Sequence, residues 1–72
     1  MRDMIIKALK QHYLGEIAKQ KANVEIFLSS HVGVGEHPDV LATIDGMVGQ
    51  IAELDDKIQA IDMHFNNSTP RI

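Results

Sequence analysis

Residues 40–65 read VLATIDGMVGQIAELDDKIQAIDMHF, and counting this stretch in sevens decides the fold. Ile44, Ile51, Ile58 and Phe65 recur at every seventh position, and Val40, Met47, Leu54 and Ile61 stand four residues before each of them. Two interleaved sevenfold series make the heptad pattern of a helix with one narrow apolar seam, here held over four repeats. The spacing predicts a helix from about residue 38 to about residue 65. An isolated amphipathic helix is marginal in water, so the seam needs a partner helix.

The nearest partner lies upstream. Ile6, Leu9, Tyr13, Ile17, Val24, Phe27 and Leu28, with Gln20 filling the missing step, recur at intervals close to 3.6 and mark one face of a helix over about residues 3–29. Asp3 suits an N-cap or the first helical turn, and Ser29 and Ser30 offer the backbone alternatives to helical hydrogen bonding. Between the two helices lies SSHVGVGEHP, residues 29–38. Gly33 and Gly35 accept positive φ at low cost, Pro38 suits the first position of a new helix, and Asp39 meets the positive end of its dipole, with Glu36 or His37 helping to cap it. A connection of this length lets the chain double back, setting Phe27 against Val40, Ile17 against Ile51 and Ile6 against Ile61. The expectation is an all-α protein: an antiparallel helical hairpin, coiled-coil-like, forming one domain over residues 1–65. Residues 66–72 have no periodicity, contain Pro70 and read as a flexible tail.

Size makes a lone hairpin doubtful. A chain of 72 residues has a single small core, and its lack of cysteine excludes disulfides and thiolate metal cages. Long, regular helix packing and assembly into an oligomeric helical bundle are the remaining routes to stability. Charge supports helix pairing. Arg2, Lys7, Lys10, Lys19 and Lys21 outnumber Asp3, Glu16 and Glu25 in the first half. Over residues 36–65 Lys57 alone faces Glu36, Asp39, Asp45, Glu53, Asp55, Asp56 and Asp62. The net charge of −3 argues against a nucleic-acid backbone as partner. Arg2, Asp3, Lys7 and Lys10 interrupt the N-terminal apolar residues, so neither a signal peptide nor a membrane anchor is read there, and a cytoplasmic protein is expected.

A second set of small residues lies away from the seams: Gly15, Ala18 and Ala22 in the first helix, with Ala42, Gly46 and Gly49 in the second. Glycine inside a helix costs about 0.5–1 kcal/mol relative to alanine, and small residues let another backbone come close. These six are the expected self-association face, against the alternative that the glycines are merely tolerated on a solvated surface.

No catalytic constellation emerges, and no cofactor is expected. The acidic run Glu53, Asp55 and Asp56 would need a desolvating pocket to work as acid and base, and a solvated helix face explains it better. His31 and His37 share the turn with Glu36 and Asp39, but their spacing fits no compact metal pair and they read as polar turn residues. A small-molecule or anion site between copies is conceivable, built from His31, Gly33, Gly35 and His37 with Lys19 or Lys21 from a neighbour and Tyr13 stacking on a base. Phe27 could stack in the same way, but both aromatic residues are more readily explained as core residues.

The stretch Val32-Gly33-Val34-Gly35-Glu36-His37-Pro38-Asp39-Val40, followed by Ile51-Ala52-Glu53-Leu54-Asp55-Asp56-Lys57-Ile58, resembles short helical proteins encoded by large tailed bacteriophages. The resemblance covers most of the chain and brings no catalytic motif. It implies a phage protein acting in the host cytoplasm or in the virion, where proteins of this size serve as inhibitors, adaptors or sequestering agents, an argument by analogy. Three functions follow as expectations: a self-associating, non-catalytic hairpin that binds a host or phage protein, such as an inhibitor of host defence; an oligomeric sponge for a nucleotide-like signal; and a structural or assembly protein of the particle.

Overall fold

The computed structural model describes residues 1–29 and 39–65. It holds two helices, α1 (Arg2–Ser29) and α2 (Val40–His64), packed against each other, and among the described residues there is no strand. Cross-helix contacts fix their relative direction. Arg2 Nη2 donates to the Phe65 carbonyl at 2.8 Å, Lys10 Nζ meets Asp62 Oδ1 at 2.6 Å, and Gln20 Nε2 donates to Gln50 Oε1. The start of α1 therefore lies beside the end of α2, and the pair is the expected antiparallel hairpin. Lys10 beside Asp62, Gln20 beside Gln50 and Lys57 over Tyr13 set the helices about three residues off the expected register of Ile6 against Ile61, with only the long Arg2 side chain matching it.

The seam of α2 is the one its heptads predict. Val40, Ile44, Met47, Ile51, Leu54 and Ile58 are half-buried, and Ile61, at 7% exposure, is the one buried residue among those described. Phe65 departs from the pattern. It stands just past the last helical residue as the C-cap, its N–H bonded to the Ile61 carbonyl at 2.9 Å, and its ring is half exposed. In α1 the seam runs through Ile6, Lys10, Tyr13, Ile17, Gln20 and Val24, so Lys10 stands in the place expected for Leu9, and the expected seam residues Phe27 and Leu28 are exposed. The physical reason is the partner. Packing against a seam with alternating steps of four and three imposes the same steps on α1, and step ten holds a lysine. Its methylene stem lies along the seam while its ammonium reaches Asp62 at the rim.

Helix ends follow local chemistry. Helix α2 begins at Val40 rather than at the expected Pro38, because Asp39 is its N-cap: Oδ1 accepts the Ala42 N–H at 2.9 Å, satisfying one of the donors left unpaired in the first turn. Thr43 Oγ1 also donates to the Asp39 carbonyl at 3.1 Å. At the other end of the connection, Ser29 Oγ donates back to the Glu25 carbonyl at 2.9 Å, occupying an acceptor in the last turn of α1. Asp3 takes the first-turn role, beside Arg2 at 3.8 Å. The expected turn, including His31, Gly33, Gly35, Glu36, His37 and Pro38, and the expected tail at 66–72, lie outside the described residues.

The resulting rod is thin. Its extents are 55 × 22 × 13 Å and its radius of gyration is 16.8 Å, against about 11 Å for a compact domain of this length. The chain exposes 5708 Å², whereas a compact monomer of its mass exposes about 4,450 Å². A hairpin has one inner stripe per helix and no second layer to cover the flanks, which leaves a large apolar surface open.

Candidate interaction surface

The two flanks of the seam differ in chemistry. On one, Gln20 and Gln50 are hydrogen-bonded across the helices, and the Lys57 ammonium sits 5.5 Å from the centroid of the Tyr13 ring, a cation–π contact. Lys57 also approaches Glu53, one turn back on α2, at 3.7 Å. Polar and long amphipathic side chains thus close this flank.

The other flank is apolar towards the connected end of the hairpin. Leu14, Lys21 and Leu28 follow one another at sevens on α1, and Leu41, Val48 and Asp55 do so on α2, in both cases at the position immediately beside the seam. Leu14, Leu28 and Val48 are about half exposed, and Leu41 is 80% exposed. A groove of about 220 Å³ runs between the helices here, lined by Lys21, Ala22, Val24, Glu25, Val48 and Ile51. Towards the open end the same flank turns charged, with Lys7, Asp55 and Asp62.

The sequence-derived candidates are not brought together. Gly15, Ala18, Ala22, Ala42, Gly46 and Gly49 are all exposed. Helical phase puts Gly15 and Ala22 on the outer edge of α1 and Ala42 and Gly49 on the outer edge of α2, so the six border the hairpin on opposite sides instead of forming one face. A Cβ added at Gly15, Gly46 or Gly49 would meet nothing within 4 Å, and any close contact they make is with another molecule. Tyr13 is a half-buried seam residue beneath Lys57, next to His12 with ring centroids 5.7 Å apart. Lys21 lines the groove, while Lys19 projects two residues away on the far side of α1. His31, Gly33, Gly35 and His37 lie outside the described residues. Glu53, Asp55 and Asp56 stand exposed on α2, and among the described residues no group of three or more histidines or carboxylates is placed to hold a metal ion.

Leu14, Leu28, Leu41 and Val48 are not among the residues that the sequence singles out as an interaction face. The signal was available: the heptads that define the seam also define the position beside it, and at the connected end that position is apolar on both helices.

Comparison with protein-family models, with curated proteins and with solved structures finds no match. Among the described residues no helix is long and apolar enough to cross a membrane.

Proposed function

We propose that the chain is a non-catalytic binding protein that works by association, completing its core against copies of itself and offering its outer helix faces to a protein partner. The observation that carries this reading is the burial: among the described residues one, Ile61, is buried, while twelve large apolar side chains are exposed. A folded chain of this length retains only about 4–11 kcal/mol of stability, and a core of this kind leaves association as its principal further source. The resemblance to phage proteins suggests the partner class, a host defence factor in the cytoplasm, with the chain acting as its inhibitor. Expression of the chain in bacteria that restrict a phage is expected to restore plaque formation. Unchanged restriction across defence systems would contradict the inhibitor reading.

A second reading rests on the groove. Its walls are apolar with one cation, Lys21, and one carboxylate, Glu25, a composition suited to a flat ring system whose anionic group would have to meet Lys21 and stand clear of Glu25. At about 220 Å³ it falls short of the roughly 300–1,000 Å³ of small-molecule sites, so a nucleotide-like ligand would need a wall from a neighbouring copy, as a sponge for a signalling molecule would provide. Cyclic dinucleotides or ADP-ribose derivatives at a hundredfold excess over Kd add about 2.7 kcal/mol. For a domain of this size that raises the melting temperature by roughly 10 °C or more. No shift with any of them would remove the sponge reading.

A further inference from the structure

We propose that the apolar flank carrying Leu14, Leu28, Leu41 and Val48 is where a second copy of this chain docks, the two hairpins lying parallel with their connected ends together, so that α1 of each copy covers α2 of the other. This rests on the self-association reading above and specifies its geometry.

Area admits a second copy as the occupant. The chain exposes 5708 Å², about 1,250 Å² more than a compact monomer of its mass. Two chains that each covered that excess would bury about 2,500 Å² in total, the range of obligate homodimers. The seam is already used within the hairpin, and the flank that Gln20, Gln50, Tyr13 and Lys57 close is polar. The flank with the groove gathers four exposed apolar side chains from both helices, Leu14, Leu28, Leu41 and Val48, and is the surface we assign.

Charge then chooses the orientation. Along this flank and its outer border α1 carries Lys7, Lys21 and Glu25, and α2 carries Asp45, Asp55 and Asp62. A two-fold axis lying in the interface has two choices. Perpendicular to the helices, it sets α2 against α2 of the other copy and brings the aspartates of both copies together. Parallel to the helices, it sets α1 of each copy over α2 of the other, with Lys7 near Asp62 and Lys21 between Asp45 and Asp55 on both sides, while Glu25 with Asp45 is the one like-charged meeting. Like charges brought together in a partly dehydrated interface repel, and opposite charges attract. Apolar matching agrees: with the hairpins overlapping along their full length, the parallel arrangement puts Leu28, Leu41 and Val48 of one chain at the same height as Leu28, Leu41 and Val48 of the other, and the opposed one sets them at opposite ends. Ala18 and Ala22 border the covered area, whereas Gly46 lies on the far side.

The chain has no cysteine, so one introduced thiol reports one position per copy. With spin labels at Ser29→Cys, beside the connection and on the outer edge of α1, the parallel arrangement predicts an inter-copy distance of about 25 Å or less, set by the width of four packed helices. The opposed arrangement predicts about 40 Å, the length of α1. Val48→Glu, at a half-exposed position that the hairpin itself does not bury, is expected to keep its helical circular dichroism while its mass by light scattering falls from twice the chain mass to the 8.0 kDa of one chain. A wild-type assembly that survives Val48→Glu unchanged, or that holds the labels about 40 Å apart, overturns this arrangement and leaves self-association standing. A wild-type chain of 8.0 kDa at every concentration overturns both.

Discussion

Replacing Ile61 with alanine is expected to remove about 2–5 kcal/mol of folding stability, the cost of deleting a buried aliphatic side chain and leaving a void. Ile61 is the one described residue with less than a tenth of its surface exposed, and it stands where α1 begins and α2 ends, beside the Arg2 and Lys10 links between the helices. Against a total of about 4–11 kcal/mol for a chain of this length, the loss approaches half of the whole. Urea unfolding followed by far-ultraviolet circular dichroism measures it directly. The half-exposed seam residues around it have less to lose. A change below about 0.5 kcal/mol, the size ordinary for surface positions, would mean that the hairpin draws its stability from somewhere other than this seam.

The triple substitution Gly15→Ala, Gly46→Ala and Gly49→Ala is expected to act in the opposite direction. Each position lies inside a helix with open space where the new methyl would go, so alanine adds helix propensity and meets nothing within the chain. Each change contributes about 0.5–1 kcal/mol, and together they come to roughly 1.5–3 kcal/mol, or a rise in melting temperature of at least about 6 °C. A fall would show that another backbone packs against these glycines, the role that their spacing suggests and that the proposed dimer face does not give them.

How much could be read before the structure depends on whether a pattern is intrinsic to one helix or imposed by its partner. The α2 seam is intrinsic: eight positions spaced by fours and threes admit one apolar stripe, and seven of them are half-buried or buried as expected. Phe65 is the exception because the helix ends at His64, and the last member of a periodic series carries no information about where the period stops. The α1 seam is imposed. Leu9 looks like the better seam residue than Lys10 on hydrophobicity alone, yet the partner's repeat selects Lys10, and a lysine can occupy a rim position by burying its stem and reaching Asp62. The cap at Asp39 was legible in residue type but assigned to the wrong turn position, since Pro38 fits the first helical position equally well in isolation.

The candidate site was less legible for a related reason. Attention to Gly15, Gly46 and Gly49 followed from their cost in a helix, a property of single residues. The apolar flank depends on which side of each helix meets the other, and Leu14, Leu28, Leu41 and Val48 share it only once the seams are set. Its contrast with the flank closed by Gln20, Gln50, Tyr13 and Lys57 is likewise a property of the pair.

Molar mass by light scattering across a concentration series, at low and high salt, tests the central claim that this hairpin completes itself by association. The account predicts a species of at least twice the 8.0 kDa chain mass, persisting in high salt because apolar burial drives it and charge only orients it. A chain that remains at 8.0 kDa at every concentration and in both salts, while keeping its helical circular dichroism, would contradict it.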